Sequence, residues 1–182
     1  MHVVGQMSGV TMLDGVVYVV FHGQSTIRMY DADTLDQHGG GIEVEGMKSP
    51  GDIAACHEER RLYVADCGDE CIWRVSAGIH SYLKWIDIGP IQTEDKSVSV
   101  SVSARHLFVS CHLAMPIVRQ YSKSDGTLLV VVQMPKFVWW VCHAAETTRG
   151  TVVVSHKGTS QGKDWHGVSS LLRFCYTCKY DT

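Results

Sequence analysis

An all-β fold built from four units of about 45 residues is what this sequence predicts, on three observations. Tyr18, Tyr63, Phe108 and Val153 stand 45 residues apart, and each centres a run of strand-forming residues. Ile27, Ile72 and Ile117 repeat at the same step, so both strands of a hairpin recur and not one hydrophobic run alone. The runs are short, rich in β-branched and aromatic residues and separated by Gly, Asp and Ser, with an alternation of period two that contradicts helices. A repeat of this length marks an architecture in which no unit buries its own faces and stacked neighbours supply the core.

The hairpin over residues 62–75 is the clearest copy, a strand, a tight turn and a second strand. In the first unit, residues 9–13 form a short apolar strand, Asp14-Gly15 turns it, and residues 16–21 return. Asp-Gly between two apolar runs is a strong hairpin signature. A polar turn from His22 to Ser25 leads to a third strand over 26–30 and a weak fourth around Ile42-Glu43-Val44. The second unit starts at Ser49-Pro50-Gly51, runs through 52–56 and the hairpin, and closes with 82–88; the third follows with 98–102, 107–111, 117–121 and 128–133. The fourth has strands over 138–142, around Val153 and over 170–174, with a connection from Lys157 to Gly167 about nine residues longer than its counterparts and no evident fourth strand.

Four antiparallel strands per unit, a to d, and this period describe the blade of a β-propeller. The expected blades are residues 9–46, 50–89, 97–134 and 137–176 of a single domain spanning 1–182. Stacking buries Tyr18, Tyr63, Phe108 and the Ile27, Ile72, Ile117 series between blades, at about 1.5–3 kcal/mol per side chain. Residues 1–7 resemble the strand d stretch over 130–134, so they are expected to form an extra outer strand.

Composition narrows the setting. A chain of 182 residues with 45% hydrophobic and 19% charged residues is neither disordered nor a coiled coil. There is no run of 18 apolar residues, so no membrane span is expected. Asparagine is absent, which removes any N-glycosylation acceptor. Seven cysteines follow the repeat and not a compact disulfide framework, which favours a reduced, cytoplasmic location. A net charge of −3 argues against nucleic acid as the main partner.

Within this period, Ser49-Pro50-Gly51-Asp52-Ile53-Ala54 followed by residues 62–72 resembles the NHL repeat family of propellers. The family's characteristic Asn is Asp69 here and the following His is Glu70. The resemblance implies a six-bladed propeller used for protein or RNA binding, often at the end of tripartite-motif ubiquitin ligases, with a lyase subgroup that uses metal-bound His. Four blades against six imply an open arc, or a fragment of a larger ring, that self-associates through exposed blade edges.

In an a, b, c, d meander the bc and da connections share one rim. That rim is expected to carry His22, Asp66, Asp69, Glu70, His112, Lys157, Lys163, Asp164, Trp165 and His166 from bc, with Lys48, Glu94, Asp95, Lys136 and Phe137 from da. Its mixed charge suits a protein surface better than a phosphate backbone. Trp165 on the long insertion is the natural anchor for a partner.

Other constellations are weaker. Cys67 with Cys71 and Cys175 with Cys178 lack a second pair at zinc spacing, and positions i and i+3 of a strand face opposite ways. His22, Cys67, His112 and Lys157 share one repeat position just past strand b, where a solvated turn is the ordinary occupant. Arg28, Arg74, Arg119 and Arg173 read as inter-blade ion-pair donors or exposed strand residues. No nucleophile triad is visible, since Ser155-His156 and Cys142-His143 are adjacent pairs only. The expected function is a non-catalytic protein-interaction scaffold without cofactor. The alternatives are a metal-dependent propeller hydrolase or lyase and an RNA-binding module.

Overall fold

The structure, a computed structural model, describes residues 5–89, 98–111, 116–136, 138–160, 163–164 and 170–174. The first blade comprises β1 (Met7–Leu13), β2 (Val16–Phe21), β3 (Thr26–Asp31) and β4 (Ile42–Glu43). The second has β5 (Pro50–Cys56), β6 (Arg61–Asp66), β7 (Cys71–Ser76) and β8 (Tyr82–Asp87), and the third β9 (Val98–Val102), β10 (His106–Cys111), β11 (Ile117–Ser122) and β12 (Leu128–Gln133). The fourth is β13 (Val138–Glu146), β14 (Val152–Ser160), β15 (Lys163–Asp164) and β16 (Ser170–Phe174). Each blade is a four-stranded antiparallel sheet; three are simple meanders, and in the fourth β14 pairs with β13, β15 and β16. Among the described residues there is no helix.

The blades are arranged as a propeller arc. β1 lies beside β5, β5 beside β9 and β9 beside β13, so the first strands line the inside of the curve. No comparable packing returns from the fourth blade to β1 among the described residues. Backbone bonds define the two rims. On one, Val44 bonds Ser25, Cys67 bonds Ser49, Ile88 bonds Glu70 and Met134 bonds Pro116, each tying a bc turn to a da connection. On the other, Ala32 bonds Gly15, Ala77 bonds Arg60 and Lys123 bonds Arg105, which joins the ab and cd turns.

The core is three inter-blade layers, as stacking requires. Tyr18, Ile27 and Met29 meet Ile53, Leu62, Val64 and Trp73 between the first two blades. Tyr63, Ile72 and Ile86 meet Val100, Leu107, Val109 and Tyr121 in the next layer, and Phe108, Val118 and Met134 meet Val138, Val141 and Val154 in the last. Tyr18, Tyr63 and Phe108 are all buried, each facing the following blade.

The isoleucine series breaks at its third member. Tyr63 lies opposite Arg74, but Phe108 lies opposite Gln120, one residue later than the period requires. A slip of one residue in a strand exchanges its faces. Val118 therefore takes the place of Ile72, while Ile117 turns back toward the second blade. The same slip regroups the arginines: Arg119, opposite Val109, is equivalent to Trp73 opposite Val64 and not to Arg74. Arg28, Arg74 and Arg119 make no inter-blade ion pair among the described residues. Arg28 sits over Phe21 at 4.6 Å, Arg74 over Trp85 at 5.0 Å, and Arg119 reaches the second blade by donating to the Ile88 carbonyl. Ion pairs between blades come instead from the ab and cd turns: Arg60 with Asp14 at 2.7 Å and Lys123 with Glu58 and Glu59 at 3.5 Å; near them His106 Nδ1 and Glu146 form a hydrogen bond at 3.0 Å.

Of the outer strand expected over residues 1–7, residues 1–4 lie outside the described residues; Met7 opens β1, and the Gln6 carbonyl accepts the His22 N–H, prolonging the β1–β2 ladder. The insertion in the fourth blade is not one long loop. β13 and β14 run nine residues each, with bulges between Val138 and Trp140 and between Val141 and His143, and β14 then doubles back as β15.

Candidate functional site

The bc/da rim is organised by a buried carboxylate. Asp66, the last residue of β6, is fully buried. Its Oδ1 accepts the backbone N–H of Ser49, Gly68 and Asp69 at 2.8, 2.9 and 3.2 Å, and its Oδ2 accepts Lys48 N–H at 2.8 Å and the Trp73 indole at 3.1 Å. One side chain thus holds both the bc turn of its own blade and the da connection entering it. Sequence reasoning placed Asp66 on the rim as a surface charge; its role is to build the rim. Gly68 permits this closeness, since a Cβ there would stand 2.8 Å from the Lys48 Cβ.

On this base stand the exposed charges. Asp69 takes ion pairs from Lys48 at 2.7 Å and Lys84 at 2.8 Å, and those bonds hold its carboxyl down at about 2. Both lysines remain largely solvent-facing. Glu70 follows in the left-handed region at φ 52°, the strained position of the turn. His22, in the bc turn of the first blade, meets the Ser49 hydroxyl at 3.0 Å from Nδ1. Lys136 is exposed before β13.

Not all the expected residues gather here. Lys157 lies inside β14, because that strand is longer than its counterparts, and its ammonium rests over Trp140 at 5.4 Å. Lys163 and Asp164 form β15, paired with Ser160 and Thr159. Glu94, Asp95, His112, Phe137, Trp165 and His166 lie outside the described residues. The ring of His22, Cys67, His112 and Lys157 is accordingly not assembled from its described members. Cys67 is buried, with its thiol pushed up to about 11 by burial.

A second group of rim residues escaped sequence reasoning. Gly9, Asp52, Ser99 and His143 occupy the same position on the first strand of successive blades, opposite Val20, Ala65, Ser110 and Ser155. Asp52 accepts N–H bonds from Ile53 at 2.8 Å and Val100 at 3.0 Å and a further bond from Ser99, whose hydroxyl also meets His143 Nδ1 at 3.0 Å. Burial raises the Asp52 pKa against the pull of those N–H groups. The result is a polar line running across three blades, from a half-buried carboxylate to an exposed imidazole. A Cβ at Gly9 would meet Asp52 at 2.9–3.0 Å, so the missing side chain makes room for it.

These sheets, rims and inter-blade layers define a β-propeller protein with four described blades. No protein-family model matches the chain, and no curated protein matches it. Solved structures do. The chain is similar to one in the crystal structure of a nidogen/laminin complex (TM-score 0.68, 14% identity, 87% of this chain and 60% of that one). It is also similar to Kuenenia stuttgartiensis hydrazine synthase (TM-score 0.59, 11% identity, 94% of this chain and 66% of that one) and to U3-55K (TM-score 0.62, 11% identity, 86% and 47%). At such identities the likeness carries the fold. The chain spans less than two thirds of the length of each of these neighbours.

Proposed function

We propose that this chain is a non-catalytic protein-interaction scaffold of NHL-like propeller type, and that its binding face is the bc/da rim. The observation that carries the reading is the Lys48–Asp69–Lys84 cluster. Its two ammonium groups are held in place by one carboxylate while the lysine side chains stay 63% and 45% exposed, so the rim presents fixed charge with little ordering left to be done on binding. The neighbour titled as a nidogen/laminin complex is itself a complex between proteins, which agrees with such a use of the fold. Mixed charge on one rim supports a protein partner over nucleic acid. The five described cysteines are free thiols, four of them buried in the inter-blade layers, which supports an intracellular setting.

The first blade supports a second contact, with another copy of the chain. Val10 is 53% exposed, whereas its equivalents Ile53 and Val100 are 3% and 1% exposed under a neighbouring blade. Met12 is likewise uncovered beside it.

The test of the rim is affinity capture with paired variants. Lys48→Glu combined with Lys84→Glu is expected to lose the partners that wild type retains, while His57→Ala with His80→Ala on the opposite rim keeps them. Retention by the first variant and loss by the second would place the binding face elsewhere.

A further inference from the structure

On the ab/cd rim a buried thiol and a buried amine from different blades meet. Cys56 ends β5 of the second blade and Lys123 follows β11 of the third; each is 5% exposed. Lys123 Nζ donates to Cys56 Sγ at 3.3 Å. The ammonium also faces Glu58 Oε2 and Glu59 Oε1, both at 3.5 Å. Glu59 is fixed in turn through its other oxygen, which accepts the Tyr63 hydroxyl at 3.1 Å and Arg61 at 3.2 Å. Lys123 lines a cavity of about 480 Å³ shared with Glu59, Arg105, His106 and Ser122, so a small polar oxidant can reach the amine that touches the thiol. A lysine is seldom buried without a task, and neutralising two partly exposed glutamates does not require its Nζ to touch sulfur.

We propose that Cys56 and Lys123 are a redox modification site, at which hydrogen peroxide ties the second blade to the third through a covalent Sγ–Nζ bond. Peroxide first transfers one oxygen to sulfur, giving the sulfenic acid and a water; sulfur loses two electrons and the O–O bond accepts them. Lys123 gives one ammonium proton to Glu59 Oε1, from which it leaves through the cavity. The freed amine lone pair then attacks sulfur as the S–OH bond breaks. The leaving hydroxyl takes a second proton from nitrogen and departs as a second water. Overall the pair loses two hydrogens and one peroxide becomes two waters. The bond joins blades where only side chains now meet, and a thiol reductant reverses it.

The experiment is peptide mapping of the whole chain after brief peroxide treatment, alkylation of remaining thiols and digestion, read by mass spectrometry. A linked pair of peptides containing Cys56 and Lys123, lighter than their sum by two hydrogens and absent after reduction, is expected. It is also expected to vanish in Lys123→Arg, which keeps the charge toward the glutamates. Recovery of wild-type Cys56 as an alkylated thiol or a sulfinic acid, with no linked peptide, would overturn the proposal without reference to any variant.

Discussion

Replacing Asp66 with alanine is the sharpest perturbation of the rim. The carboxylate serves five N–H donors, four on the backbone and one on Trp73. Each buried donor left without an acceptor costs about 1–3 kcal/mol, and water replaces the carboxylate most easily at Lys48 and Asp69, nearest the surface. The remaining donors set a net loss of about 3–5 kcal/mol, the range seen when one member of a buried charged network is removed. At about 2–4 °C per kcal/mol for a chain of this size, the melting temperature falls by roughly 10 °C. Asp66→Asn is expected to recover little, because its amide nitrogen points a donor at donors. Thermal unfolding followed by circular dichroism measures both. A loss below about 1 kcal/mol for the alanine variant would refute the view that this side chain assembles the rim.

Further outcomes follow from the same geometry. Lys48 and Lys84 depress the Asp69 pKa to about 2, below its unfolded value, so the stability Asp69 contributes is present at neutral pH and is lost as pH falls from about 4 toward 2. Asp69→Asn flattens that part of the stability–pH profile, and an unchanged slope contradicts the assignment. Gly51→Ala places a Cβ 2.7 Å from Cys67 Sγ and 3.0 Å from the Val98 carbonyl, so the second and third blades must separate, at about 1–3 kcal/mol by denaturant titration. Burial pushes the thiols of Cys67, Cys71 and Cys111 up to about 11, 12 and 11, so these stay silent to a thiol reagent at neutral pH until the chain unfolds, while the half-buried Cys142 reacts ahead of them. Val10→Lys with Met12→Lys lowers the sedimentation coefficient of any self-associated species toward that of the monomer; no change removes the first blade's outer face as the contact.

The fold was legible because strands b carry it in strict register. Tyr18, Tyr63 and Phe108 keep both their spacing and their face, since each lies at the middle of a strand whose neighbours pair identically. Strand c was legible only for two blades. The single-residue offset before β11 leaves Ile117 at the right number and on the wrong face, and nothing in its side chain distinguishes it from Val118 beside it. The site was less accessible still. Asp66 looks like any turn aspartate until the chain brings Lys48, Ser49 and Trp73 around it. Asp52, Ser99 and His143 stand 47 and 44 residues apart, because the a–b hairpins vary in length while strands b keep their step of 45, so a search at that period passes over them. Chain order alone puts His22, Asp69, Glu70 and Lys136 on this rim, since it fixes the rim a turn belongs to but not the strand length that removed Lys157 from it.

The claim that the bc/da rim is the working face is tested most directly by photo-crosslinking from single positions in cells. A photoreactive amino acid at His22 or Glu70, in bc turns, is expected to capture a partner protein, and the same residue at His57 or His80, in the ab and cd turns of the second blade, is not. Capture from His57 and His80 with none from His22 and Glu70 would contradict the account.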